Sequence, residues 1–248
     1  MTVPWFEADW PAPRGVHALS TLRGVASSGI SKAPYGYFNL GDHVGDDPAA
    51  VAENRRRLKV AAGLPSEPYW LSQVHGIRVA NLDSPAAPGD ADAAIARASS
   101  KVCAILTADC LPVLLASGSG DTVAAAHAGW RGLAAGVIEA TVRAMGVPPS
   151  SLVAWLGPAI GPKHFEVGTE VRDAFIVEDP QAGEAFEPNA RGRFMADLRM
   201  LARQRLQVLG VSHIFGGGEC TFTQADRYYS HRRDGITGRQ ATLIWREG

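Results

Sequence analysis

The feature that most constrains the fold is a run of closely spaced apolar segments between residues 102 and 132. Two of them, Val102–Leu106 and Leu111–Ala116, are short and rich in Val, Ile and Leu, so we interpret both as buried strands. Residues 117–121 read Ser-Gly-Ser-Gly-Asp, which is typical of a turn. A third short apolar segment, Thr122–Ala126, follows that turn. The stretch therefore predicts buried strands joined by tight connections.

Chemically reactive side chains stand at the ends of these apolar segments. Cys110 lies between the first two segments, and His127 closes the third. The residues that follow, Ala128–Gly132, are small and Gly-rich and open a helical pattern that we expect over Leu133–Met145. Because free N–H groups and the helix dipole favour anions at a helix N-terminus, we expect a functional site here.

Composition narrows the class of protein. The 248 residues are 46% hydrophobic and 20% charged, which are globular values. A net charge of −1 gives no reason to expect a nucleic-acid or acidic-membrane partner. No apolar run approaches the ~18 residues of a membrane span, and the first residues lack the apolar core of a secretory signal. Three cysteines form no disulfide framework, which favours a cytoplasmic location.

Helices and strands alternate irregularly along the rest of the chain. We therefore expect a single α+β domain over residues 1–248, with layered sheets, rather than a doubly wound fold. The further helices are expected at Pro48–Ala62, Val167–Val177 and Leu198–Leu209, and the further strands at His17–Gly24, Tyr69–Val74, Ile77–Leu82, Leu152–Leu156, Val211–Phe215 and Arg239–Trp245.

Three side chains at strand ends offer the nitrogen and sulfur donors that zinc prefers: His75, Cys110 and His127. Three protein ligands with an open fourth position are typical of a catalytic zinc site, and the long spacings exclude a finger-type knuckle. Each residue also has an ordinary interpretation, as a histidine bonded to the backbone or as a buried thiol. Cys103 is expected to be a buried strand residue. Cys220 follows three glycines and can lie either inside or outside the site.

The same residues support a second interpretation. Cys110 near a helix N-terminus, beside a histidine, can be a thiolate nucleophile. Asp109 can share the site only if the chain leaves strand geometry there, since neighbours on a strand point to opposite faces. Arg131 at the helix start is a candidate clamp for phosphate or carboxylate, or else a solvated arginine. The run Arg55–Arg57 is expected on a solvated helix face, with one member free to turn inward.

Two further stretches of the sequence have the composition of polar loops. Residues 39–48 hold an asparagine, a histidine and three aspartates between apolar segments. Residues 84–92 are rich in Pro, Gly and Asp, so we interpret Asp90 and Asp92 as turn residues.

Three motifs follow one another along the chain: Gln73-Val74-His75-Gly76, Thr107-Ala108-Asp109-Cys110-Leu111-Pro112 and His127-Ala128-Gly129-Trp130-Arg131-Gly132. In this order they resemble the YfiH/YlmD family, also called the multicopper polyphenol oxidase or laccase-domain family, which includes the mammalian protein FAMIN. The likeness covers nearly the whole chain, with supporting stretches at Asn39–Pro48, Gly157–Val167, Cys220–Phe222 and Tyr229–Gly238. Some members carry a second cysteine where this chain has Ala159, so any metal or redox role of that cysteine is absent here.

The resemblance implies a layered α/β/β/α sandwich and a zinc site made by His75, Cys110 and His127. It also implies purine nucleoside chemistry: phosphorolysis of adenosine, inosine, guanosine and methylthioadenosine, and hydrolytic deamination of adenosine. Within that chemistry we expect catalytic roles for the three ligands and for Asp109, which would handle a proton. The residues expected to contact substrate are Arg131, Asn39 and His43.

Other functions remain open at this point. The older family name suggests a copper-dependent phenol oxidase, and one cysteine with two histidines can hold copper, but seven histidines are few for a multicopper enzyme. A cysteine hydrolase, such as a peptidoglycan-precursor editing enzyme, is a second alternative. A metal-dependent interaction module without catalysis is a third. The preferred nucleoside, the oligomeric state and the roles of Cys220 and His231 are not indicated by the sequence.

Overall fold

The two apolar segments on either side of Cys110 lie in different sheets of the molecule. We describe a computed structural model, which covers residues 3–85 and 89–247. The strands in these ranges are β1 (Trp5–Glu7), β2 (Val16–Thr21), β3 (Tyr69–Trp70), β4 (Val79–Asn81), β5 (Ala93–Ala96), β6 (Val102–Thr107), β7 (Leu111–Ser117), β8 (Val123–Ala128), β9 (Leu152–Leu156), β10 (Glu166–Val167), β11 (Phe186–Pro188), β12 (Phe194–Ala196), β13 (His213–Gly216) and β14 (Gln240–Arg246). The helices are α1 (Pro48–Ala61), α2 (Trp130–Ala135), α3 (Val137–Met145), α4 (Thr169–Ile176), α5 (Leu198–Val208) and α6 (His231–Asp234).

Two large sheets and one small sheet are built from these strands. The first has the order β1-β2-β14-β6-β3, and the second has the order β13-β9-β7-β8-β5-β4. β6 therefore lies inside the first sheet and β7 inside the second, so the chain crosses from one sheet to the other at Ala108–Cys110. Strands β10, β12 and β11 form the small antiparallel sheet.

The large sheets pack face to face, and helices cover both outer faces. Between the sheets lie apolar side chains of both, including Ile105 and Leu114. Leu58 of α1 packs on the outer face of the first sheet. Helices α2 to α5 cover the outer face of the second sheet, where Ile138 and Phe175 are fully buried. The order is helix, sheet, sheet, helix, which confirms the α+β class and the layered α/β/β/α sandwich.

Three of the differences between the predicted and the observed elements have a definite physical reason. The helix expected over Leu133–Met145 begins earlier, at Trp130, and is divided into α2 and α3 by Gly136, whose φ of +100° is left-handed. The strand expected over Tyr69–Val74 is only two residues long. The strand Ala93–Ala96 is missing from the sequence prediction, because four small residues after a loop show no alternation.

Gln73 explains why the Tyr69–Val74 strand stops early. Its side-chain amide donates to the carbonyl oxygen of Leu106 at 2.9 Å and accepts from the N–H of Leu106 at 2.8 Å. The side chain therefore pairs with β6 in place of the backbone, and the main chain is released to turn. None of the helices in the described part of the chain has the length and apolar character that a bilayer crossing requires.

Candidate functional site

Three donor atoms converge where the chain crosses between the two sheets. The ligand atoms of His75, Cys110 and His127 all lie within 4.8 Å of one another. His127 comes from β8 and is buried, Cys110 lies between β6 and β7, and His75 lies in the exposed segment after β3. The Cys110 Sγ is 3.9 Å from the His75 Nε2, and the two imidazole rings meet edge to face at 4.7 Å.

Asp92 holds the buried histidine in place. Its carboxylate, fully buried, accepts a hydrogen bond from the Nδ1–H of His127 at 2.8 Å. This bond leaves the Nε2 of His127 to face the thiol, as in the carboxylate–histidine pairs that orient metal ligands. The interpretation of Asp92 as a turn residue is therefore wrong, since a turn residue would keep its carboxylate at the surface.

The same carboxylate also fixes the segment that carries His75. It accepts hydrogen bonds from three consecutive backbone N–H groups, those of Val74 at 3.1 Å, His75 at 2.9 Å and Gly76 at 2.7 Å. His75 adopts a left-handed backbone with φ of +60°, which a non-glycine residue rarely does. One buried aspartate thus positions both histidines.

Asp109 turns the chain so that Cys110 reaches the site. Its φ is +95°, outside strand geometry, as required for it to lie on the same side as Cys110. Its carboxylate accepts from the hydroxyl of Thr221 at 2.7 Å and from the backbone N–H of Arg232 at 2.7 Å. Its carbonyl oxygen accepts from the N–H of Ile160 at 2.9 Å. Asp109 therefore joins three distant segments, those of Ile160, Thr221 and Arg232, to the crossing point.

Gly129 leaves the space that the three donors occupy. A Cβ added there would lie 2.9 Å from the Cys110 Sγ, 3.1 Å from the His75 Cδ2 and 3.5 Å from the His127 Nε2. Its φ of −63° and ψ of 155° are open to any residue, so the requirement for glycine is steric. Gly129 is also the N-cap of α2, so the helix begins beside the donor atoms.

The charges of the group favour a thiolate. Burial opposes ionisation of Cys110, but the positive charge of His127 and hydrogen bonds to both imidazoles lower its pKa to about 6. Burial likewise opposes charging of His127, but the Cys110 thiolate and Asp92 raise its pKa to about 9. Burial also opposes ionisation of Asp92, and the hydrogen bonds from His127, Gly76 and Val74 hold its pKa below the usual value.

A cavity of about 380 Å³ opens beside the three donors. Its lining contains the imidazoles of His43 and His231 and the guanidinium groups of Arg131 and Arg239. No carboxylate lines it within the residues described. Thr107 also lines it, and the hydroxyl oxygen of this residue is buried without a hydrogen-bond partner.

Arg239 is the more buried of the two arginines of this cavity. Its NH1 donates to the carbonyl oxygens of Thr237 and Gly238, both at 3.0 Å, and in the described ranges no carboxylate forms a salt bridge with it. Burial lowers the pKa of its guanidinium, an effect that the charges of Cys110 and Asp109 partly offset. A partly buried cation without a paired carboxylate is costly, so this group favours an anion in the cavity.

A second cavity, of about 180 Å³, adjoins the first at His75 and Cys110. It shares His75, Ala108, Cys110, Arg131 and His231 with the larger cavity. The residues that only the smaller cavity has are Asp109, Trp130, Ile160, Phe165 and Arg232. The two cavities therefore meet at the donor group and differ in polarity.

The remaining predicted site residues have distinct surroundings. The side chain of Asn39 is fully buried and engaged in four hydrogen bonds, to the N–H and carbonyl oxygen of Gly41, to the Asp46 carboxylate and to the N–H of Arg239. His43 lines the larger cavity, where burial and the charge of Arg239 lower its pKa. Arg131 is exposed and stacks on the ring of Trp130 at 4.5 Å.

Three residues that the sequence left open also take definite places. His231 lines both cavities, and its Nδ1–H donates to the carbonyl oxygen of Gly235 at 2.7 Å. The Cys220 Sγ accepts from the N–H of Gly161 at 3.2 Å and lies outside the three-donor group. Arg55 turns inward, where it donates to the carbonyl oxygen of Leu40 and stacks on Trp70.

Sequence reasoning missed three functional candidates: Asp92, Arg239 and Thr107. Asp92 and Arg239 each stand directly before a strand, in loops whose composition is that of ordinary turns. Thr107 ends β6 in the motif that also carries Cys110, so only its place in that motif indicated it. Their importance depends on tertiary contacts that spacing along the chain does not reveal.

The donor set fits a zinc ion. Zinc bonds of about 2.3 Å to sulfur and 2.1 Å to nitrogen place two tetrahedral ligands about 3.6 Å apart. The observed 3.9 Å between the Cys110 Sγ and the His75 Nε2 is close to that separation. The orienting carboxylate and the thiolate state of Cys110 fit the same ion.

Comparison with known proteins gives consistent matches over the whole chain. The sequence model of the family described as multi-copper polyphenol oxidoreductase laccase matches residues 18–247. A Pseudomonas aeruginosa protein named purine nucleoside phosphorylase is 54% identical over 97% of this chain and 98% of its own length. The Escherichia coli protein named purine nucleoside phosphorylase YfiH is 52% identical over 96% of each chain.

A solved structure supports the fold described above. The crystal structure of a Neisseria meningitidis protein, assigned to the family model DUF152, is 47% identical to this chain and superposes with a TM-score of 0.93. The match covers 98% of this chain and 99% of that one. At this identity and coverage the likeness extends to the crossing point between the two sheets.

Proposed function

The chain belongs to the multi-copper polyphenol oxidoreductase laccase family, the YfiH family, and from this premise we propose that it is a zinc-dependent purine nucleoside phosphorylase. The observation that carries the proposal is a His-Cys-His group bordering a cavity that is lined by cations and by no described carboxylate. Phosphorolysis needs such a place for phosphate next to the reacting carbon. Relatives with about half of their residues identical bear the name of this activity.

Three residues bind the metal in this proposal. His75, Cys110 and His127 hold it, and Asp92 orients both histidines. When bound, zinc supplies Lewis acidity, which can polarise a substrate oxygen or lower the pKa of a water molecule to about 7. Gly129 keeps the space around it free.

We assign the phosphate to the larger cavity. Arg239 offers a partly buried positive charge with no carboxylate salt-bridge partner in the described ranges, and guanidinium groups bind phosphate with directed hydrogen bonds. The unpartnered hydroxyl of Thr107 can donate to a phosphate oxygen. Arg131, expected to clamp the anion, is exposed at the rim and is proposed to assist there.

The proposed reaction exchanges one bond at the C1′ carbon of the ribose. A phosphate oxygen forms a bond to C1′ while the bond from C1′ to the purine nitrogen breaks, and the electron pair of the broken bond stays with the base. A proton from solvent or from a residue of the site then neutralises the base. Arg239 and Thr107 hold the nucleophile, so the protein contributes orientation and electrostatic stabilisation.

Asn39 and His43 take supporting roles in this scheme. Because Asn39 accepts a hydrogen bond from the backbone N–H of Arg239, we propose that it positions the arginine rather than contacting substrate. His43 lines the larger cavity and is proposed as a rim contact to phosphate.

The test is phosphate-dependent release of purine base from adenosine, inosine and guanosine. Cys110→Ala should abolish metal retention and base release together. Arg239→Gln should raise the KM for phosphate about 10- to 150-fold, since a charge-assisted hydrogen bond is lost. Arg131→Gln is the matched control, and its exposed position predicts a smaller effect. Base release that is independent of phosphate, or an unchanged phosphate KM in Arg239→Gln, would contradict the proposal.

A cysteine hydrolase is the second candidate, because one specific arrangement favours it. Asp92, His127 and Cys110 stand in the order acid, imidazole and thiol, as in a nucleophilic triad. This reaction would leave substrate covalently attached to Cys110 and would proceed after metal removal by a chelator. Intact-mass measurement during turnover distinguishes the two, since phosphorolysis forms no such adduct.

Copper oxidation and deamination are tested separately. The described residues contain one group of three donors, and a multicopper oxidase needs several copper centres, so we do not propose phenol oxidation as the function. Hydrolytic deamination of adenosine stays a prediction, and its measure is inosine formed from adenosine without phosphate.

A further inference from the structure

The smaller cavity has an aromatic and aliphatic wall and a carboxylate that the larger one lacks, and neither of these suits phosphate. From its shape, walls and charge we propose that it is the pocket for the purine base, and that Asp109 selects bases by accepting a hydrogen bond from a base N–H. The proposal rests on the phosphorylase function proposed above, because it divides the two substrates between the two cavities.

The first observation is the size and the lining of the smaller cavity. At about 180 Å³ it is smaller than typical drug-sized pockets of about 300 Å³ or more, so it suits a single heteroaromatic ring system. Trp130, Ile160 and Phe165 supply an aromatic and aliphatic lining. Aromatic side chains stack favourably on nucleobases, whereas a phosphate gains nothing from such surfaces.

Two arginines strengthen this lining. The guanidinium of Arg131 lies 4.5 Å from the ring centre of Trp130, and that of Arg232 lies 5.3 Å from the ring centre of Phe165. Such stacking holds the aromatic rings in fixed orientations. Arg232 is further anchored by its NH1, which donates to the carbonyl oxygen of Glu166 at 2.9 Å. The walls are therefore ordered before a base enters.

The second observation is the distribution of charge. Asp109 lines only the smaller cavity, and no described carboxylate lines the larger one. Asp109 repels phosphate from the smaller cavity, whereas Arg239, which lines only the larger of the two, attracts it. Phosphate is therefore assigned to the larger cavity and the base to the smaller, with the ribose at the donor group where the cavities meet.

The third observation is the hydrogen-bonding capacity of Asp109. Each of its oxygens accepts one hydrogen bond, from Thr221 and from Arg232. A carboxylate has about four acceptor positions, so about two remain for a ligand. Because both oxygens already face donors, Asp109 acts on the base as an acceptor. The proton-handling role expected from the sequence becomes in this proposal a role in base selection.

One experiment separates the two cavities by the KM of each substrate. Phe165→Leu keeps an apolar wall but removes the aromatic ring, and we expect the nucleoside KM to rise about 3- to 10-fold with the phosphate KM unchanged. Thr107→Val is the matched variant in the larger cavity, and it should raise the phosphate KM with the nucleoside KM unchanged. The assignment would be overturned if Phe165→Leu raised the phosphate KM and Thr107→Val the nucleoside KM. It would also be overturned if both variants changed the KM of both substrates equally.

A second variant tests Asp109 without dismantling its network. Asparagine tolerates the left-handed backbone, and its amide can accept from the Arg232 N–H while it donates to the Thr221 hydroxyl. Asp109→Asn should change the ratio of kcat/KM for adenosine to that for inosine about 10-fold or more, because the group facing the base becomes a donor. An unchanged ratio would overturn the selecting role.

Calorimetry with free adenine distinguishes failure of this inference from failure of the proposed function. If the wild-type protein releases no base from nucleosides but binds adenine, and Phe165→Leu weakens that binding, the pocket assignment stands and the phosphorylase proposal fails. If the wild-type protein is active and Phe165→Leu binds adenine with unchanged affinity, the phosphorylase proposal stands and the pocket assignment fails. Thermal unfolding of each variant shows that a loss of binding is not a loss of the fold.

Discussion

Replacing Gly129 by alanine should weaken metal binding while leaving the fold intact. The new methyl carbon would lie 2.9 Å from the Cys110 Sγ and 3.1 Å from the His75 Cδ2, about half an ångström or more inside the ~3.5–4.0 Å optimum for non-bonded atoms. Metal–ligand distances tolerate only about 0.2 Å of error. Overpacking of this kind costs about 1–3 kcal/mol, so metal affinity should fall about 5- to 150-fold.

The fold should survive because the backbone of Gly129 is already in an ordinary conformation, with φ of −63°. Metal content of the purified protein, measured by mass spectrometry, and phosphate-dependent base release are the assays. Gly218→Ala is the control, because no atom lies within 4 Å of its added Cβ. A Gly129→Ala protein with wild-type metal content and activity would refute the placement of the three donors around this glycine.

Three further predictions follow from the contacts of single side chains. Asp92→Asn should lower metal affinity or activity about 10- to 100-fold, the usual effect of removing a group that orients a metal ligand, as measured by metal titration. In metal-free protein, the rate of Cys110 alkylation by iodoacetamide should fall as the pH drops through about 6, because its thiolate persists down to that pH. A half-maximal rate near pH 9 would contradict this prediction. Buried Cys103, whose pKa is raised, is the unreactive internal control. Asn39→Ala removes four hydrogen bonds, two of them fully buried, and should lower the free energy of unfolding by about 2–6 kcal/mol, measured by denaturant titration; a loss below about 1 kcal/mol would contradict the positioning role.

Much of the fold could be predicted because its strongest signals are local. The strands on both sides of Cys110 are continuous apolar runs, and the strand Leu152–Leu156 has the predicted bounds. The helix starting at Pro48 follows the preference of proline for the first turn. The errors arise where a single residue overrides the pattern, as Gly136 does by dividing a helix and Gln73 does by pairing through its side chain.

The site could be predicted only in part, for a similar reason. His75, Cys110 and His127 stand at the ends of apolar segments, so their residue types and places indicated a ligand set. Asp92 gave no such signal, since its loop has the composition of a turn and its four hydrogen bonds go to residues distant along the chain or to backbone N–H groups. The sequence did not indicate Arg239 either, because the absence of a carboxylate partner depends on which residues surround it in the fold.

The backbone itself shows that the donor group is held under strain. Among the described residues other than glycine, His75 and Asp109 have positive φ, and both border the same cavity. Such conformations cost about 1–3 kcal/mol each and persist only where the surroundings enforce them. For His75 the enforcing group is Asp92, through three backbone N–H groups. For Asp109 it is the three segments that bond its carboxylate and carbonyl. Because Asp92 also holds His127, loss of this one carboxylate should release two donors at once, and its effect should exceed the loss of either histidine's hydrogen bond taken alone.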